Sequence, residues 1–254
     1  MEFQNILYTK QGYIGTLTLN RPPANAINLA TLLDIDKALD EAEADKEIRC
    51  LIITGAGEKG FSAGFDVSDP AGAGATGPKG QEVWTRIDRL SKVVIAAING
   101  YAFGGGCELA MASTFRVMQE NARIGLTELN LGIIPGWGGT QRMPRILGKS
   151  KALDLILFSK RLTAQEALEI GLVDRVSKVG ELMKDVMEMA EVLATRPPLA
   201  VKAVLNAVNV GIEKGLDEGI KVELEGIRMV SSSKDAVEGI TAFMQKRKAN
   251  FTGE

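Results

Sequence analysis

Three consecutive glycines, Gly104, Gly105 and Gly106, stand directly ahead of a lone glutamate, Glu108, in residues 100–113, GYAFGGGCELAMAS. Glycine is costly wherever a chain must be ordered, and a carboxylate among Ala, Leu and Met is costly to bury. Two such costs at one place mark a site around which the rest of the chain must be built. The surrounding run VVIAAINGYAFGGGCELAMA is about long enough to span a bilayer. Asn99, Glu108 and the glycines interrupt it, so it reads as a buried strand followed by a helix.

The chain has 254 residues, enough to bury a sizeable core as one large domain or one domain with an appendage. Thirty basic residues against thirty-two acidic ones give a formal net charge of -2, which advertises neither a nucleic-acid nor an anionic-membrane footprint. Cys50 and Cys107 lie far apart with no paired spacing, as expected of a reducing compartment without a disulfide framework or zinc site. The chain contains no histidine. That removes the Ser-His and Cys-His triads and the usual imidazole metal ligands, leaving carboxylates, lysines, tyrosines and the backbone to carry any chemistry. The opening MEFQNILYTKQGYIGTLTLNRP enters an alternating strand pattern at once, without signal- or transit-peptide character. A soluble, cytoplasmic protein is expected, with no membrane or nucleic-acid partner.

Alternation predicts a strand over Ile14–Leu19, and helical spacing of Leu29, Leu32, Leu33, Leu39 and Ala42 predicts a helix over Leu29–Ala44. Residues 50–54 and Val93–Ile98 read as buried strands. Between them DPAGAGATGPKG, residues 69–80, reads as a mobile loop from its Gly, Ala and Pro content. This order suggests an α/β sheet with crossover connections. From about Gly148 helix follows helix. Thr163 and Glu166 form a capping box for one that Gly171 closes, and others are expected over residues 181–195, 199–212, 216–230 and 235–248.

LIITGAGEKG sets Gly55, Gly57 and Gly60 in G-x-G-x-x-G spacing after a strand, as a dinucleotide-binding loop begins. That loop needs a helix opening at its last glycine, whereas FSAGFD follows and leads into Pro70 and the glycine-rich stretch. In FSAGFD, Gly64 permits a turn closed to other residues, so the Phe65 amide is free to face a cavity. An isolated Ala-Gly pair is otherwise a plain strand-to-loop turn. If Gly105 or Gly106 opens a helix, its unpaired amide also points outward. Two such amides can hold one oxygen as it gains negative charge, each worth roughly 3 kcal/mol of transition-state stabilisation.

The second constellation is ARIGLTELNLGIIPGWGGTQR, residues 122–142, in which Glu128 sits between Leu126 and Leu129. By itself Glu128 reads as a surface glutamate or one paired with Arg123 or Arg142. Two carboxylates in apolar surroundings are nevertheless what proton shuttling needs without histidine, because burial raises a carboxyl pKa toward neutrality.

INGYAFGGGCELAMAS, FSAGFD, LNLGIIPGWGGTQR, RLTAQEALEIGLVDRV and the final FMQKRKANF together resemble the crotonase superfamily, and within it the enoyl-CoA hydratases, over nearly the whole chain. The resemblance implies an α/β spiral of β-β-α units over residues 1–195 and a helical region over residues 196–254 that builds trimers, commonly paired into hexamers. It implies that the thioester carbonyl of an acyl-CoA lies between the amides of Phe65 and Gly105. Glu108 would activate a water for the β-carbon and Glu128 would exchange the α-proton. No metal or redox cofactor is implied, coenzyme A being part of the substrate. Ala63, Asp66, Val67, Ser68 and Trp137 map to the substrate site, Lys59 to a cation for the CoA phosphates, and Phe243 and Lys246 to positions through which a neighbouring subunit contributes. Lys59 read alone is a solvated loop lysine, and the KRK cluster a solvated helix end.

The chain departs from the pattern at three points. Phe65 replaces a frequent alanine, which a backbone donor tolerates, and Ser68 stands where lysine is frequent. Trp137 either narrows the acyl pocket toward short chains or serves as a core tryptophan. The resemblance leaves as alternatives an enoyl-CoA isomerase using mainly Glu128, a specialised hydratase of cyclic dienoyl-CoA substrates, and a non-catalytic RNA-binding homologue. Near-neutral charge and retention of both glutamates weigh against the last.

Overall fold

Cys50–Gly55 (β3) and Val93–Ile98 (β5) are buried at every position, because each lies inside a sheet covered on both faces. Their side chains alternate between two cores. Leu51, Ile53, Val94, Ala96 and Ile98 face one, while Cys50, Ile52, Val93, Ile95 and Ala97 face the other. The computed structural model describes residues 3–57, 60–69 and 73–254. Around this pair a six-stranded sheet runs β1-β2-β3-β5-β7-β10, with Ile6–Gln11 (β1), Ile14–Leu19 (β2), Phe115–Gln119 (β7) and Arg175–Ser177 (β10). Only the β1-β2 hairpin is antiparallel; from β2 onward the pairs are parallel, in registers such as Ile14 with Cys50 and Cys50 with Val93.

The long strands β3, β5 and β7 each continue into a three-residue strand of a second sheet: Gly60–Ser62 (β4), Tyr101–Phe103 (β6) and Arg123–Gly125 (β8). These pair β4-β6-β8 in parallel, and Leu162–Thr163 (β9) closes the edge antiparallel. After each of the first two pairs comes a helix, Ala73–Asp88 (α2) and then Gly105–Ala112 (α3), so the chain spirals through β-β-α units. Asn99 joins the two sheets, its amide pairing with both the N–H and the carbonyl of Gly55. The spiral brings the ends of β4 and β6 side by side, and both expected glycine turns leave from there.

Leu29–Ala44 (α1) forms with the expected bounds, capped by the Asn28 side chain on the Thr31 amide. Gly60 opens β4 rather than a helix, which disposes of the dinucleotide-loop spacing. The expectation for residues 69–80 fails: from Ala73 this stretch belongs to helix α2. Its weak helix formers are outweighed by what the following turns bury, since Val83, Trp84 and Ile87 enter the core. Lys79 and Arg86 also pair with Asp36 of α1. Pro78 removes one intrahelical donor, whose acceptor would be the carbonyl of exposed Gly74.

Gly139–Leu147 (α4) and Lys149–Leu157 (α5) precede Ala164–Glu169 (α6), which carries the Thr163–Glu166 capping box in full and is followed by Gly171 at φ 81°. Leu182–Ala194 (α7) covers the outer face of the large sheet with Leu182, Val186, Met189, Ala190 and Ala194. Pro198–Lys214 (α8), Leu216–Ser231 (α9) and Lys234–Met244 (α10) complete the chain. The last helix stops short of residue 248, with Lys246 left-handed at φ 54°. Helices α8 and α9 have no fully buried residue; Val201 and Leu205 of α8 pack partly buried against the second core, while Val204, Val208, Ile212, Ile220, Leu224 and Ile227 stay exposed. Among the described residues no helix is long and apolar enough to cross a membrane.

Candidate active site

The turn after β4 is held by a parallel bridge in which Ile27 takes both bonds. Its N–H donates to the Gly64 carbonyl at 2.7 Å and its carbonyl accepts from the Asp66 N–H at 2.9 Å. In such a bridge the intervening residue presents its own amide to the opposite side, so the Phe65 N–H is turned away from Ile27. Gly64 sits at φ 86°, and a Cβ there would lie 2.6 Å from the Phe103 carbonyl oxygen and 2.7 Å from the Gly105 nitrogen. The two glycine turns are therefore packed against each other.

Gly104, at φ 52°, turns the chain from β6 into α3, and Gly105 is the first residue of that helix. The leading amides of a helix have no acceptor within it. Among the described residues neither the Phe65 nor the Gly105 N–H has a hydrogen-bond partner. Both residues line one cavity of about 180 Å³.

Glu108, one turn into α3, lines the same cavity and is 1 % exposed. Its Oε1 accepts from the Trp137 N–H at 2.8 Å and the Gly139 N–H at 2.7 Å, while Oε2 has no protein partner among the described residues. Burial raises its pKa above the usual carboxylate range, and the two amides and the Arg142 charge oppose that shift. The glycines of the Gly136–Gly139 turn matter here through space: a Cβ on Gly139 would come within 2.9 Å of Glu108 Oε1.

Glu128 starts a 3₁₀ turn, Glu128–Leu131, directly after β8, the strand hydrogen-bonded to β6. That pairing explains how twenty positions of sequence close to one cavity. Glu128 is 9 % exposed, its Oε2 is buried without a partner, and its Oε1 lies 3.2 Å from where a Cβ on Gly104 would stand. Burial first, and then the charge of Glu108, push its pKa up to about 7. The structure thus assembles two amides from two turns with two carboxylates, one on the helix that the second turn opens and one on a further segment.

Ala63 and Val67 line the mouth of the cavity. Trp137 lines it as well and is also core, 5 % exposed, so lining the cavity and packing in the core are not alternatives for it. Asp66 stands behind the turn, its carboxylate occupied by the Ser68 N–H and hydroxyl and by Arg21 at 2.5 Å. The Ser68 hydroxyl and Arg21 hold that carboxyl below the usual range. Ser68 is exposed, and neither it nor Asp66 lines the cavity. Phe243 and Lys246 are exposed around the end of α10 and do not line this chain's own cavity. Lys59 lies outside the described residues. Sequence reading missed the apolar wall Leu131, Ile133 and Ile134, whose run LNLGIIPG has neither strand nor helix periodicity. Its only signal was three large apolar residues beside a glycine turn.

The model of the enoyl-CoA hydratase/isomerase family matches residues 9–254. A short-chain-enoyl-CoA hydratase of Clostridium acetobutylicum is 41% identical over 254 residues, spanning 98% of this chain and 97% of its own. A crotonyl-CoA hydratase of Syntrophomonas wolfei is 40% identical, covering 99% of each chain. The crystal structure of an enoyl-CoA hydratase from Bacillus anthracis superposes with a TM-score of 0.96 at 39% identity, over 99% of this chain and 100% of that one. Motifs, spiral fold and full-length similarity agree: this chain belongs to the enoyl-CoA hydratase/isomerase family, of crotonase fold.

Proposed function

We propose that this chain is an enoyl-CoA hydratase, adding water reversibly and syn across the double bond of a trans-2-enoyl-CoA to give a 3-hydroxyacyl-CoA. The observation that carries the reading is the meeting of two unpartnered amides and two buried carboxylates at one apolar cavity. The thioester oxygen accepts from the Phe65 and Gly105 N–H groups, with the positive end of α3 behind the second. As water attacks, charge moves onto that oxygen, and fixed dipoles meet it where it develops.

Glu108 acts ionised, because two amide donors favour its charge, and takes a proton from water as the water oxygen bonds to the β-carbon. Glu128 acts neutral and gives its proton to the α-carbon. One O–H bond breaks, one C–O and one C–H bond form, and the double bond becomes single. Glu108 ends protonated and Glu128 ionised, and proton exchange resets the pair. This chemistry asks for no redox or metal cofactor. A double-bond shift would need Glu128 alone; the two amides spent on Glu108 favour hydration.

For the CoA portion the reading assigns Lys59 and a neighbouring copy's Phe243 and Lys246 to the nucleotide end. It takes the uncovered apolar faces of α8, α9 and α10 as the contact between copies in a trimer or a pair of trimers. Both cysteines are buried free thiols, which fits a reducing, cytoplasmic setting. The test follows loss of enoyl-thioester absorbance with crotonyl-CoA for the wild type, Glu108→Gln and Glu128→Gln. Each amide is expected to lower kcat by about 10²–10⁴-fold while CoA-ester binding persists. An unaltered rate in either variant overturns that residue's role.

A further inference from the structure

Behind the acyl cavity lies a second one of about 550 Å³, lined by Met111, Ile146 and Ile212 together with Arg142, Asn209 and Glu213. Among the described residues Trp137 alone lines both. Its indole is wedged in place. A Cβ on Gly105 would run into the six-membered ring, and one on Gly80 of α2 into the pyrrole edge. The ring therefore bridges the N-terminus of α3 to α2 across bare backbone. Trp84 meets it edge-on with centroids 5.5 Å apart, Phe65 does so at 6.2 Å, and the Trp84 Nε1–H donates to the Gly105 carbonyl at 3.1 Å. The Trp137 carbonyl is held in turn by Arg142, which pairs with Asp88. Between its two cavity-facing sides the indole is held by Gly105, Gly80, Trp84 and Phe65, so it is less free to swing aside than a flexible aliphatic chain.

Resting on the hydratase reading, we propose that the Trp137 indole is the partition between the two cavities and sets the acyl-chain ceiling, making short 2-enoyl thioesters the substrate class of this chain. Chains the size of a crotonyl group end against the ring. Longer ones meet a wall whose displacement would disturb Gly105, one of the two amides that hold the thioester oxygen. Without the ring, a chain gains a path toward Met111, Ile146 and Ile212.

The test measures kcat/KM for crotonyl-, trans-2-hexenoyl-, trans-2-octenoyl- and trans-2-decenoyl-CoA in the wild type, Trp137→Phe and Trp137→Leu. A methylene that a closed pocket rejects costs about tenfold or more, so even two rejected of the six that separate decenoyl- from crotonyl-CoA should lower the wild-type value at least about 100-fold. In Trp137→Leu the decenoyl-to-crotonyl ratio should rise at least about tenfold, mainly through KM, with Trp137→Phe between. Should the leucine variant fail to fold, the phenylalanine variant reads the same shift. A wild type that hydrates decenoyl-CoA as readily as crotonyl-CoA, or folded variants with the wild-type ratio, overturns the partition while leaving the hydratase reading intact. A folded wild type that hydrates none of the four overturns the reading itself.

Discussion

Two main-chain amides separate Glu108 from Glu128. Both carboxyls are buried beside one cavity, yet Glu108 receives the Trp137 and Gly139 N–H groups while Glu128 Oε2 has no partner. When the pair carries one proton, burial and the Glu108 charge favour its residence on Glu128. Because burial and the Glu108 charge raise the Glu128 pKa to about 7, the singly protonated pair is lost as pH rises through that value. In the proposed reaction hydration and dehydration both start from a pair carrying one proton. We therefore expect kcat/KM in both directions to fall about tenfold per pH unit above about 7. Initial rates with crotonyl-CoA and 3-hydroxybutyryl-CoA from pH 5 to 9 check this, and a profile level to pH 9 in either direction contradicts it.

At the scale of elements, what could be read ahead of the structure depended on length and on how completely a segment is buried. The strand β2 and the helix α1 carry enough positions for a period to show, and β3 and β5 enough for an unbroken apolar run. The three-residue strands β4, β6 and β8 do not, although they aim both glycine turns and Glu128 at one cavity. The motif in GGGCE was legible because three glycines and a lone carboxylate in one apolar segment are two costs at one place, and FSAGFD, a plain turn by itself, gained meaning only beside it. Their convergence was not, because Ile27, whose bridge turns the Phe65 amide, is remote in sequence. Helix α2 was hidden by Gly, Ala and Pro in its opening turns, and its anchors Val83 and Trp84 lie further along. Missing that helix also hid the seat of Trp137, since Gly80 and Trp84 both belong to it. Helices α7, α8 and α9 were read nearly to their ends, with Gly215 at φ 93° separating the last two.

The whole molecule presents its body and its C-terminal helices differently to water. The body has two buried cores, whereas α8, α9 and α10 expose an apolar series that ends at Phe243, 85 % exposed. Faces of that kind are covered by association. Light scattering is expected to give a mass that is a multiple of three chains, and a monomer at micromolar concentration contradicts the assembly. The central claim is spatial, that one thioester oxygen is held by amides from two turns while the carboxylates face the neighbouring carbons. The most direct measurement is a crystal structure of Glu128→Gln with crotonyl-CoA bound. We expect the thioester oxygen within about 3.2 Å of both the Phe65 and the Gly105 nitrogen, with residue 108 on the side of the β-carbon. A thioester oxygen bonded to neither amide, or an acyl group outside the cavity shared by Glu108 and Glu128, would contradict it.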